Sequence, residues 1–114
     1  MPHCIIEYSK TLEARLTPSA LIEAVHHGAL KSELFEGADI KTRAVAYEHY
    51  RTGAGTLDFV HITARILSGR NQQQKAALSD RVLAELKAIV SVPASLTVEV
   101  CDIDRVSYAK SVTG

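Results

Sequence analysis

The residue with the most unusual chemistry available to it is the second one. The chain opens Met1-Pro2-His3-Cys4-Ile5-Ile6-Glu7-Tyr8. Aminopeptidases generally remove Met before a small residue such as Pro, which leaves a secondary amine at the root of a strand-like run. An α-amino group has a reference pKa of ~8. An apolar wall and nearby cations both disfavour its charged form and lower that value. A neutral amine on a rigid strand can act as a general base at physiological pH. With Met1 attached, the Pro2 nitrogen is an amide without a basic lone pair, so this chemistry requires processing. The plain alternative is that Pro2 is a processing signal and a stiff chain start.

The other reactive side chains suggest less. Cys4 and Cys101 both lie in strand-like runs, and with no signal peptide in front, free thiols in a reducing cytoplasm are expected. No Cys-x-x-Cys or His-x-x-x-His spacing marks a metal site, and the adjacent His26-His27 pair diverges on a helix. Lys+Arg and Asp+Glu both number 13, so the formal net charge is zero. That balance argues against nucleic acid and anionic membranes as partners, and it leaves self-association unopposed. No apolar run reaches the length of a membrane span.

A chain of 114 residues with 46% apolar content predicts a single globular domain over 1–114. Cys4, Ile6 and Tyr8 alternate with His3, Ile5, Glu7 and Ser9, which predicts a strand over 3–9. Residues 10–16 read as a loop. Thr17-Pro18 reads as an N-cap with Pro at the first helical position. Leu21, Ile22, Val25, Ala29 and Leu30 then recur at helical spacing to about residue 31, with Gly28 as a local weakness. Residues 40–50 predict a second strand, and Thr52-Gly53-Ala54-Gly55-Thr56 a turn. Residues 58–67 predict the clearest strand, with Val60, Ile62, Ala64 and Ile66 on one side. Asn71 with Gln74 reads as a capping box. Leu78, Val82, Leu86, Ile89 and Val90 form one stripe of a helix over 72–90. Pro93 ends that run, and Leu96, Val98 and Val100 alternate as a fourth strand. The tail from Asp104 to Gly114 is too polar to pack alone.

The order is β-α-β, Gly-rich turn, β-α-β, an internal duplication with pseudo-repeats at about 2–52 and 57–104. The expected class is α+β: a four-stranded mixed sheet with both helices on one face. The strands carry apolar residues on more than one side, so the uncovered face calls for a partner, which a C3 trimer would supply. A ferredoxin-like monomer shares the same element order.

Met1-Pro2-His3, Phe59-Val60-His61 and Gly69-Arg70 together resemble the 5-carboxymethyl-2-hydroxymuconate isomerase family of the tautomerase superfamily. The segment Leu67-Ser68-Gly69-Arg70-Asn71-Gln72-Gln73-Gln74-Lys75 also resembles the loop-to-helix motif of 4-oxalocrotonate tautomerase. The resemblance spans nearly the whole chain. It implies a cytoplasmic homotrimer with active sites at subunit boundaries and no metal or cofactor. It also implies a small unsaturated di- or tricarboxylate as substrate, specifically the dienol of homoprotocatechuate (4-hydroxyphenylacetate) breakdown. By the same resemblance Pro2 takes the base position, and Arg70 and Arg43 match family arginines. Lys41 stands where a relative carries another arginine.

The chemistry fits these types. A dienolate and its carboxylates need fixed positive charge, and the planar fork of arginine grips a carboxylate bidentately without ever losing its charge. Arg70 stands just before a helix N-terminus, whose free N–H groups favour anions. Phe59 and Tyr47 are candidates to wall the pocket, with core or interface packing as the competing role, and His61 reads as a packing or contact residue. Two rival functions remain: a tautomerase-fold enzyme acting on another enol, and a trimeric binding module without chemistry.

Overall fold

In the computed structural model, which describes residues 1–114, the opening alternation becomes strand β1, His3–Ser9. Cys4, Ile6 and Tyr8 are buried on one side of it. Residues 10–16, read as a loop, instead begin with a 3-10 turn, Lys10–Ala14, that tucks Leu12 into the core. Helix α1 then runs Pro18–Lys31, with the Thr17 hydroxyl accepting from the Ala20 N–H at 3.1 Å. Strand β2 is Lys41–Tyr47, shorter than the predicted 40–50 because Glu48, His49 and Tyr50 leave the ladder. Strand β3 is Asp58–Leu67 and helix α2 is Gln72–Ile89. The predicted capping box is complete: Asn71 Oδ1 accepts from the Gln74 N–H at 2.8 Å, and Gln74 Oε1 accepts from the Asn71 N–H at 2.9 Å. Strand β4, Ala94–Ile103, extends beyond its three alternating apolar residues at both ends.

The sheet order is β2-β1-β3-β4. β1 pairs parallel with β2, β3 parallel with β4, and β1 antiparallel with β3 at the centre. Each half is thus a β-α-β unit, and the two halves join through β1 and β3. The registers place Cys4, Ile6, Val60, Ile62, Ala64 and Val98 on the face that both helices cover. Leu21, Val25 and Ala29 of α1 and Leu78, Val82 and Leu86 of α2 complete that core, all fully buried. Leu30, placed on the same stripe by its spacing, is 41% exposed.

Gly28 has a different role from a weak point in α1. A Cβ there would lie 2.7 Å from Val82 Cα and 3.0 Å from the Arg81 carbonyl oxygen. The two helices cross at this glycine, and only a residue without a side chain permits the approach.

The opposite face carries no helix. Alternation and register put His3, Ile5 and Glu7 there, with Arg43, Val45 and Tyr47 on one side and Phe59, His61, Thr63 and Arg65 on the other. It is more polar than the strand composition suggested. Tyr47 donates to Glu7, and His61 lies between Thr97 Oγ1 at 2.7 Å and Glu99 Oε2 at 2.6 Å. No helix of the chain is long and apolar enough to cross a membrane.

Candidate active site

The chain start is fixed at the end of the inner strand β1. The Pro2 ring is among the fully buried side chains, and its carbonyl accepts from the Lys41 N–H at 3.0 Å, just ahead of the β1–β2 ladder. The Met1 amine donates to the Asp39 carbonyl at 3.0 Å, and Lys41 Nζ donates to the same oxygen at 3.2 Å. Burial first, then the positive charges of Lys41 and Lys110, push the amine below its ordinary value.

Met1 stands in a cleft of about 430 Å³. One wall comes from the β3–α2 connection. Gly69 has φ of +125°, a conformation that side chains disfavour, and it turns the chain so that Arg70 points back across the end of the sheet. Arg70 Nη2 donates to the Leu34 carbonyl at 2.8 Å, and its guanidinium lies 5.8 Å from the Phe35 ring centre. Both contacts restrain the fork before any ligand arrives.

The other wall is the tail. After β4 the Asp104 carboxylate accepts from the Val106 N–H at 3.2 Å and starts a short 3-10 turn, Arg105–Ser107. Arg105 Nε donates to the Ser68 carbonyl at 2.9 Å. Tyr108 and Lys110 follow, and both line the cleft with Arg105. The tail does not pack alone. It docks on the body through polar contacts and closes the cleft. Sequence reading missed these three residues, because contacts across distant positions, 37 for Arg105 and 105 for Tyr108, leave no periodic trace. The one local signal was the Asp104 cap.

The result is a local excess of positive charge on a neutral chain. Arg70, Arg105, Lys110 and the Met1 amine line the cleft against one acid, Asp39. Such a site favours anions. No group of three or more His, Cys, Asp or Glu side chains comes together in a geometry that would hold a metal ion.

The remaining residues singled out from sequence lie elsewhere. Lys41 is beside the chain start but outside the cleft lining. Arg43 is on the open face, where its Nη1 donates to His3 Nδ1 at 3.1 Å. Tyr47 and Phe59 face each other at 6.2 Å between ring centres. They lie at the far end of β1, where Ser9 rather than His3 is their neighbour. Six strand residues separate that end from the chain start, about 20 Å. Within one chain they do not meet the cleft.

Known proteins match this chain in family and fold. The family profile described as 5-carboxymethyl-2-hydroxymuconate isomerase matches residues 2–110. A crystal structure of a 5-carboxymethyl-2-hydroxymuconate delta-isomerase superposes with a TM-score of 0.86 at 19% identity, covering 98% of this chain and 89% of that one. A 5-carboxymethyl-2-hydroxymuconate isomerase from Deinococcus radiodurans R1 gives 0.78 at 21% identity, covering 98% and 90%. A fused 4-OT described as a wild-type symmetric trimer gives 0.78 at 14% identity, covering 96% and 91%. No curated protein sequence matches. With the profile spanning nearly all of its residues, this chain belongs to the 5-carboxymethyl-2-hydroxymuconate isomerase family and is an isomerase of the tautomerase fold.

Proposed function

We propose that this protein isomerises 5-carboxymethyl-2-hydroxymuconate, with the Pro2 amine as the general base once Met1 has been removed. The amine takes the proton of the 2-hydroxyl group. The oxygen electron pair becomes a carbonyl, the double bonds shift along the chain, and the resulting ammonium returns the proton to carbon. Dienol becomes conjugated 2-oxo isomer with no atom gained or lost and no cofactor required. The observation that carries this reading is the chain start standing in a cleft walled by Arg70, Arg105 and Lys110. There a tricarboxylate finds its counter-charges, and the burial and cations that lower the pKa of the Met1 amine surround the place where the Pro2 amine is proposed to stand once Met1 is removed.

Arg70 is proposed to hold a substrate carboxylate, and Lys41 to help keep the amine neutral. Arg43 acts on the site through His3. Tyr47 and Phe59 can serve a cleft only in an assembly where another copy presents them, and we place the enzyme as a homotrimer acting in the cytoplasm on homoprotocatechuate breakdown.

The test joins an intact mass to a turnover assay of 5-carboxymethyl-2-hydroxymuconate. A Met-free mass with turnover, lost in Pro2→Ala, supports the mechanism. A Met-free protein that turns over a different dienol keeps the site and changes the substrate. Full turnover with Met1 retained ends the proline mechanism.

A further inference from the structure

Between the open face and the cleft runs a chain of three side chains, Arg43, His3 and Tyr108, whose last member the isomerase reading leaves without a role. Arg43 Nη1 lies 3.1 Å from His3 Nδ1, and His3 Nε2 lies 3.0 Å from the Tyr108 hydroxyl. The rings of His3 and Tyr108 meet edge to face, 6.1 Å between centres. The donor order of this chain follows from its first member. A guanidinium has donors only, so His3 Nδ1 accepts. A neutral imidazole with Nδ1 accepting carries its proton on Nε2, so Nε2–H donates to the Tyr108 oxygen. The Tyr108 proton is then directed away from His3. It has no acceptor within the chain, and Tyr108 lines the cleft.

We propose that Tyr108 is a substrate-contacting hydrogen-bond donor, held in that polarity by Arg43 and His3, and that it selects ligands bearing an oxygen at C2. His3 and Arg43 are its positioning residues. This rests on the cleft being the substrate site, and it adds what reads the enolic oxygen where Arg70, Arg105 and Lys110 read carboxylates. The surroundings of His3 favour the neutral ring that this order requires, and the Arg43 donor selects its tautomer. Burial, then Arg43, Lys41, the chain-start amine and Arg65, all lower its pKa and keep it neutral. A donor aimed at an oxygen whose charge grows in the transition state stabilises that state more than the ground state.

Equilibrium binding of 2-oxoadipate and adipate separates this proposal from the reading beneath it, because the two diacids differ at one oxygen. Tyr108→Phe is expected to weaken 2-oxoadipate about tenfold and leave adipate within about twofold. His3→Leu is expected to lose the same discrimination, and His3→Gln, which keeps an N–H at the Tyr108 oxygen, to retain most of it. On 5-carboxymethyl-2-hydroxymuconate, Tyr108→Phe is expected to lower kcat about 10- to 100-fold with little change in KM. Equal losses for both diacids, no loss for either, or no binding of 2-oxoadipate to the unmodified protein overturns the proposal. Failure of the proline mechanism reads out separately, as a Pro2→Ala protein with unchanged turnover. Tyr108 is in the tail and outside the buried core, so its removal leaves folding intact, checked by an unchanged melting transition.

Discussion

The Met1 amine and the Lys41 ammonium share one acceptor, the Asp39 carbonyl oxygen, at 3.0 and 3.2 Å. Two like charges therefore meet at the chain start, and that of Lys41 disfavours the charged form of the Met1 amine. After burial, the Lys41 charge does most to lower the pKa of the Met1 amine. With Met1 removed, the Pro2 amine that takes its place beside Lys41 works as a base only when neutral, so activity is expected to be lost as pH falls through the pKa of that amine. Lys41→Gln removes one lowering charge and raises that pKa toward its ordinary value. The acid limb of kcat/KM against pH is expected to move to higher pH, and a limb that stays put disconnects Lys41 from the base.

Arg70 is restrained by the Leu34 carbonyl and the Phe35 ring. Lysine at that position keeps the charge and loses the fork. Arg70→Lys is expected to raise KM about tenfold while leaving the melting temperature near that of the unmodified protein. Steady-state kinetics with a thermal melt checks both halves.

Gly28→Ala should destabilise in spite of alanine's better helix propensity, worth about 1 kcal/mol. The new methyl meets Val82 Cα at 2.7 Å, a backbone atom that cannot rotate away. Overpacking of this kind costs about 1–3 kcal/mol. Chemical denaturation is expected to show a lower midpoint with an unchanged m-value.

No residue beyond Ile103 belongs to the buried core. A chain shortened to end there is expected to unfold cooperatively, with stability within about 1 kcal/mol of the full chain. Its cleft loses Arg105, Tyr108 and Lys110, so affinity for dicarboxylates is expected to fall sharply. Calorimetric titration with adipate on both chains tests this.

The elements were legible because each obeys a period. The β3 stripe of Val60, Ile62, Ala64 and Ile66 is spelled out in order and buried throughout, and of the α2 stripe Leu78, Val82 and Leu86 are buried while Ile89 and Val90 at its end are half-buried. Caps were legible too, since Asn71 and Gln74 are three residues apart. The glycine at the helix crossing was misread, because its partner Val82 is 54 positions away and propensity concerns only the local chain. The tail's place at the cleft was out of reach for the same reason. Its contacts are single hydrogen bonds, Tyr108 to His3 and Arg105 to Ser68, with no apolar pattern to announce them. Composition suggested neutrality everywhere, and the clustering of cations at one end became visible only when the chain was folded.

The duplicated architecture has an asymmetry that no substitution can remove. When two β-α-β units are joined into one chain, the second loses its free amino end to a peptide bond. The position in β3 matching the root of β1 is Asp58, and its carboxylate is tied down, accepting from Ser9 Oγ at 2.7 Å and Thr11 Oγ1 at 2.5 Å. Of the two β-α-β halves only the first can therefore offer a chain end for proton chemistry. What the second half gives in return is mechanical: it pins the opposite end of the central strand, so that β1 presents its remaining terminus from an anchored base.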